Sequence, residues 1–197
     1  MTDETRITDY EQLLDQPPQA DELPPPQHAP DELRVPDDLR QFSGTPNGAR
    51  RSVAITVARF NGEITSLLLD GAIETLVNAG VQRAAIDVMP VPGAFELPLA
   101  AMALARTKRY GAVIAIGCVI RGETPHFDFV SSEAASGVQL ASLETGVPVA
   151  FGVLTCDTAQ QARDRAGGAH GNKGREAALT ALEMADALAR LRAGVNA

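Results

Sequence analysis

The chain has 197 residues, 45% of them apolar, and a formal net charge of −8 at pH 7. That is length and apolar content enough for one domain with a proper core. The acidity is uneven: residues 1–50 hold 11 acids and 4 bases, net −7, whereas residues 51–197 hold 14 acids and 13 bases. The near-neutral body offers no basic face suited to nucleic acid. No apolar run is long enough to span a bilayer, and the acidic start lacks the apolar stretch of a signal peptide. The densest basic spot, Arg106-Thr-Lys-Arg109, falls at an expected helix C-terminus, where cations suit the helix dipole. Two cysteines, Cys118 and Cys156, are too few for a zinc site of their own. They read as small hydrophobes in a reduced, cytoplasmic protein. Neither a metal nor a cofactor is called for.

Residues 1–38 read as a disordered, acidic leader. Pro17, Pro18, Pro24, Pro25, Pro26, Pro30 and Pro36 lie there among Asp, Glu and Gln, a composition that buries too little apolar surface to offset its ordering entropy. Within it, Tyr10 to Leu14 has the pattern of a transient helical turn or docking motif. Residues 39–42 read as a short strand before the turn-like Gly44-Thr-Pro-Asn-Gly48. From Ser52 strands and helices alternate. Strand 52–57 leads to helix 63–79, ended by Gly80; strand 84–88 leads to helix 95–107; strand 112–116 leads to helix 128–145. Strand 149–154 then leads to a short helix 159–165, and a Gly-rich turn at 167–171 precedes a long helix 173–192. Short apolar, β-branched runs joined through helices by tight turns imply a parallel sheet covered on both faces. The expected fold of residues 39–197 is therefore α/β, a three-layer αβα sandwich on a four-stranded, flavodoxin-like parallel sheet. No Gly-x-Gly-x-x-Gly or Walker pattern follows the first strand, which argues against nucleotide binding.

Such sheets bind ligands at the carboxyl ends of their strands, so the four βα junctions hold the candidate residues. The richest is residues 117–130, Gly-Cys-Val-Ile-Arg-Gly-Glu-Thr-Pro-His-Phe-Asp-Phe-Val. Thr124 and Pro125 read as N-cap and first helical position. The backbone N–H groups of Gly122, Glu123 and Thr124 can then converge on an anion. His126 would stand beside it, and histidine is the side chain best suited to proton transfer near neutrality. The first junction offers Phe60 and Asn61, with Phe60 available to stack on a flat ring. The second offers Gly93 and Ala94, which leave room for close approach, then Phe95 and Glu96, a carboxylate that can accept hydroxyl hydrogen bonds or simply suit a helix start. The fourth offers Phe151, with Asp157 and Thr158 as capping residues. Beyond it, Arg165 can grip a phosphate with its planar fork, while Lys173 and Glu176 can form an ordinary helix-surface pair.

The motifs Arg59-Phe-Asn61, Val91-Pro-Gly-Ala-Phe-Glu-Leu-Pro98, Val119-Ile-Arg-Gly-Glu-Thr-Pro-His-Phe-Asp-Phe129, Phe151-Gly-Val-Leu-Thr155 and Gly171-Asn-Lys-Gly174 occur in that order. Together they resemble 6,7-dimethyl-8-ribityllumazine synthase over roughly residues 40–192. The resemblance implies condensation of 5-amino-6-(D-ribitylamino)uracil with 3,4-dihydroxy-2-butanone 4-phosphate, the penultimate step of riboflavin biosynthesis, without a cofactor. It implies that Phe60 stacks on the pyrimidine, held also by the backbone around Asn61, Cys118, Val119 and Ile120. The segment from Gly93 to Glu96 grips the ribityl chain. Gly122, Glu123 and Thr124 hold phosphate together with Arg165 of a neighbouring subunit. His126 shuttles protons, and Phe151, Lys173 and Glu176 lie at the shared site. It further implies a pentamer and, because the 167–172 connection is short, a sixty-subunit shell, with riboflavin synthase as a possible associate. This chain departs from the family where Ala169 replaces a usual lysine, where Ala58 and Phe129 replace a common Ser and Tyr, and in its long leader. Three rivals are a flavin or lumazine carrier, a purely structural shell protein and a generic phosphate-binding module. Retention of Phe60, Glu96, His126 and Arg165 argues against the carrier; the ordered motifs argue against the generic module. The shell role is compatible with the enzyme.

Overall fold

A computed structural model describes residues 33–195; the 10–14 stretch and most of the leader lie outside the described residues. Four strands, β1 (Val53–Ala58), β2 (Ile86–Val91), β3 (Ala112–Ile120) and β4 (Val149–Cys156), form a parallel sheet in the order β2-β1-β3-β4. Between them run helices α1 (Gly62–Asn78), α2 (Leu97–Arg106) and α3 (His126–Thr145). Helix α4 (Ala159–Arg165), a small antiparallel hairpin of β5 (Ala166–Gly168) and β6 (Gly171–Asn172), and the long α5 (Lys173–Val195) complete the chain. This is the expected flavodoxin-like αβα sandwich.

The two faces of the sheet pack differently. On one, Val53, Ile55, Ile114 and Ile116 meet Leu68 and Leu76 of α1 and Ala178 and Leu182 of α5, all buried. Truncating a leucine such as Leu68 or Leu182 there should cost about 2–5 kcal/mol. The other face is built from small residues: Ala54, Ala58 and Ala115 of the sheet, Ala100, Ala101 and Ala105 of α2, and Ala134 and Ala141 of α3. Small side chains bring helices close. A Cβ added at Gly137 of α3 would sit 2.6 Å from the Pro98 Cβ, so this crossing tolerates no side chain.

Several boundaries differ from expectation. β2 starts after a 3-10 turn at Arg83–Ala85 and runs on to Val91, through Pro90. Pro90 is tolerated because β2 is an edge strand, paired to β1 alone. β3 extends to Ile120 and β4 to Cys156, since Cys118↔Leu154 and Ile120↔Cys156 remain in register. The helix expected from 95 opens as a 3-10 turn, Ala94–Glu96, and becomes α-helical at Leu97. Residues 39–42 form no strand. They belong to an extended strap on α5, where the Asp186 carboxylate accepts hydrogen bonds from the Thr45 N–H (3.0 Å), the Thr45 hydroxyl (3.2 Å), Arg51 (2.9 Å) and Arg190 (2.8 Å). Side-chain bonds to a helix replace the sheet ladder that a strand would need. The Thr45 N–H, and then Arg190, hold the Asp186 carboxyl below its ordinary range, against the opposing effect of burial. No helix among the described residues is long and apolar enough to cross a membrane.

Candidate active site

The carboxyl ends of β1, β2 and β3 open into a groove of about 700 Å3. It is lined by Phe60, Gly93, Ala94, Phe95, Glu96, Cys118, Val119, Ile120, Gly122, Thr124 and His126, all expected from the sequence, and by Pro92, Phe127, Phe129 and Val130.

Each loop has a local reason for its shape. The N–H groups of Arg59 and Phe60 donate to the carbonyls of Val91 and Pro92 at 2.8 and 3.0 Å, which carries the β1–α1 loop over the end of β2. The Phe60 ring stays 70% exposed at the groove mouth. Asn61 adopts left-handed backbone angles (φ 58°, ψ 44°), which asparagine tolerates well. Its carbonyl accepts from the Ile64 and Thr65 N–H groups to start α1, and its side-chain NH2 donates to the Cys118 carbonyl at 2.9 Å. Asn61 therefore ties the β1–α1 loop to the end of β3 rather than lining the groove. Glu96 Oε2 accepts from the Gly93 N–H at 2.8 Å, closing the 3-10 turn and setting the carboxylate at the groove wall.

The β3–α3 loop differs from expectation in one respect. Pro125, not Thr124, is the N-cap, α3 begins at His126, and no side chain caps it. With φ fixed by its ring, Pro125 occupies helical angles already, and its carbonyl accepts from the Asp128 N–H at 3.0 Å. Among the described residues no protein group accepts from the N–H groups of Gly122, Glu123 or Thr124. A Cβ at Gly122 would meet nothing within 4 Å, so the loop backbone faces open space. These free donors precede the N-terminus of a 20-residue helix, an arrangement that favours an anion. Glu123 is exposed outside the groove lining.

A second recess of about 340 Å3 runs along β4, the free edge of the sheet, and gathers Phe151, Thr155, Cys156, Arg165, Lys173 and Glu176. Arg165 donates to the Gln161 carbonyl at 3.1 Å, and Lys173 pairs with both Glu176 oxygens at 2.8 Å. The single chain does not bring Arg165 to the 122–124 loop: the two lie in separate depressions. Burial, and then the charge of Cys156, push the Cys118 thiol up to about 12. Burial also raises Cys156, against the opposing charge of Arg165. Both thiols are buried and protonated at neutral pH, so neither is a ready nucleophile.

One cluster was not anticipated. Arg121 donates through Nε to Asp157 at 2.8 Å and through Nη1 to the two Asp128 oxygens at 3.0 and 3.3 Å, with its Cζ 4.1 Å from the Phe127 ring centroid. The bonds to Asp157 and then Asp128 raise its already high pKa further. Thr158 caps α4 as expected, accepting from the Gln161 N–H, but the Asp157 carboxylate serves Arg121 instead. The sequence signal was an Arg and an Asp bracketing one loop; Asp157 had none. Asn172 was missed as well. Its side chain donates to Leu67 and Ala166 and accepts from the N–H groups of Gly174 and Arg175, starting α5.

Comparison with known proteins bears on the same region. The profile of the family described as 6,7-dimethyl-8-ribityllumazine synthase matches residues 50–189. A protein of that name from Syntrophus aciditrophicus (strain SB) is 56% identical over 137 residues, 70% of this chain and 89% of its own length. Another from Gemmatimonas aurantiaca is 51% identical over 146 residues, 74% of this chain and 89% of its own. The matched segment carries every loop of the groove and of the recess, and the chain belongs to the 6,7-dimethyl-8-ribityllumazine synthase family.

Proposed function

We propose that the groove over β1–β3 is where the family's condensation takes place, and that a neighbouring copy completes it with its recess. The reaction joins 5-amino-6-(D-ribitylamino)uracil to 3,4-dihydroxy-2-butanone 4-phosphate. The amine attacks the ketone, water is lost to give an imine, phosphate is eliminated, and the ribitylamino nitrogen closes the ring on the remaining carbonyl with loss of a second water to give 6,7-dimethyl-8-ribityllumazine. Phe60 stacks on the pyrimidine and Glu96 accepts from the ribityl hydroxyls. The N–H groups of Gly122, Glu123 and Thr124 hold the phosphate, and His126 moves protons between nitrogen, carbon and the departing oxygen. Arg165, Lys173, Glu176 and Phe151 come from the neighbouring copy.

The observation that carries this reading is the gathering of an exposed aromatic ring, a carboxylate, one imidazole and the Gly122 and Thr124 backbone, whose N–H groups meet no acceptor among the described residues, on a single groove. The groove contains no Lys or Arg, although a phosphate ester calls for one, and the recess supplies two. The chemistry asks mainly for alignment of groups that react on their own. Proximity contributes about 7–11 kcal/mol in well-aligned cases, and a placed acid–base adds about a hundred- to ten-thousandfold. Mixing the purified protein with both substrates should generate the lumazine's visible absorption and fluorescence. A protein that shows these only after the lumazine itself is added is a carrier, and the proposal fails.

The assembly we propose is a pentamer, and beyond it a sixty-subunit shell in the cytoplasm, with riboflavin synthase as its associate. The short Ala166–Gly168 to Gly171–Asn172 hairpin supports the shell, because it leaves α5 packed on α1 without an insertion to spread it. Exposed Leu99, Phe129 and Leu143 supply apolar contact area. Light scattering on the full chain and on a variant lacking residues 1–38 tests this. Shells in either form support it; pentamers alone in both, across salt and pH, contradict it.

A further inference from the structure

We propose that Arg121 is a positioning residue of this enzyme: it ties the β3–α3 loop to the turn before α4, and so sets the phosphate-holding N–H groups and His126. The inference rests on the proposed reading of that loop.

The loop has little else to hold it. Gly122, Glu123 and Thr124 spend no N–H group on any described residue, and Gly122 faces open space. Their order must come from the two ends. Arg121 supplies both. Its own N–H donates to the Cys156 carbonyl at 2.9 Å, which pins the loop's first residue to β4. Its guanidinium then reaches forward to Asp128, in the first turn of α3, and sideways to Asp157, while its face lies on Phe127. His126 is thus held between a pinned start and a pinned finish. Arg121 lines neither the groove nor the recess, so it acts through the loop and not on the substrate. Asp157 lies just before α4, whose last residue is Arg165. The same tie therefore links the loop serving one site to the helix whose arginine serves the next.

The chemistry selects arginine. A planar fork reaches two carboxylates in fixed directions and stacks its face on a ring, whereas a lysine ammonium is a point charge with no planar face and no fixed fork. The cation also offsets two acids that would otherwise stand uncompensated beside a phosphate. Its side chain is 43% exposed, so the tie adds little to global stability.

The test is steady-state kinetics on the assembled protein with Arg121→Gln, Arg121→Lys, Asp157→Asn and the Arg121→Gln/Asp157→Asn pair. Binding energy from the phosphate can re-order a loosened loop, so KM for the butanone phosphate should rise roughly five- to twentyfold in Arg121→Gln, with a smaller fall in kcat. Arg121→Lys should lie between Arg121→Gln and wild type. Asp157→Asn should raise KM in the same direction, and the pair should add nothing beyond Arg121→Gln, because both residues act through one contact. The melting temperature should stay within about 2 °C of wild type. A normal KM in Arg121→Gln, or a raised KM there with a normal or lowered one in Asp157→Asn, overturns the tie. His126→Ala separates the two failures. If it slows turnover while Arg121→Gln does not, only the tie is wrong. If it too is wild type, the reading of the loop falls with it.

Discussion

The groove over β1–β3 and the recess along β4 are built from opposite materials. The groove is mostly apolar, holds Phe60, Phe95 and Phe129, and offers hydrogen-bond donors as backbone N–H groups. The recess is polar and holds Arg165, Lys173 and Glu176 on helical elements. The first suits a flat heterocycle and a sugar-like chain; the second suits a phosphate. Neither alone suits the pair of substrates used by the family. On the proposed reading a neighbouring copy brings the two together, which accounts for the separation of Arg165 from the 122–124 loop.

The sharpest way to break the comparison is to remove the cation of the recess. Arg165→Ala should lower kcat/KM for the butanone phosphate by roughly a hundredfold, mainly through KM, since hydrogen bonds to charged groups are the strong ones. On the groove side, His126→Ala should lower kcat by roughly ten- to a hundredfold and leave the fold intact, because alignment carries most of the acceleration. Stopped-flow absorbance at the product band measures both. Phe60→Ala should weaken a pyrimidine analogue by roughly five- to tenfold in calorimetry, with Phe60→Tyr and Phe60→Trp close to wild type. Equal affinity in all of them would make Phe60 a mere filler of surface.

The smallest effect lies away from both regions, at the strap on α5. Asp186 has its pKa lowered in the folded state, so its contribution to stability is complete above the ordinary carboxylate value, near about 4. That contribution is lost as pH falls through the lower, folded value. Melting temperatures of wild type and Asp186→Asn should therefore differ at neutral pH and converge under strong acid. Parallel curves at every pH would mean that the Thr45, Arg51 and Arg190 bonds do not secure the strap.

Much of this was legible in the sequence, for identifiable reasons. Alternation of apolar runs with helical periods gave the parallel sheet. The rule that ligands gather at strand carboxyl ends gave the groove, whose residues come from βα loops. The far ends of β3 and β4 were not legible: Gly117-Cys118 and Thr155-Cys156 read as loop, and the cross-strand pairings from Gly117↔Val153 to Ile120↔Cys156 keep them in the sheet. The ties across loops were hidden for the same reason. Asn61 to Cys118 and Arg121 to Asp157 join residues 57 and 36 positions apart, at the ends of strands whose adjacency follows from sheet order. Periodicity carries no record of that order. The N-cap at Pro125 was misjudged because Thr-Pro is a common helix start, and here the helix begins without a side-chain cap.

The claim that one copy's recess completes another's groove is tested most directly by co-expression of His126→Ala and Arg165→Ala chains. In mixed assemblies some sites pair an intact His126 with an intact Arg165 from the neighbour. Random assembly makes these about a quarter of all sites, by the statistics of independent occupancy around a closed ring. With the butanone phosphate held well below its KM, the account predicts that mixed assemblies recover close to that fraction of wild-type kcat/KM, far above either variant alone. Activity no higher than the average of the two variants measured separately would contradict it.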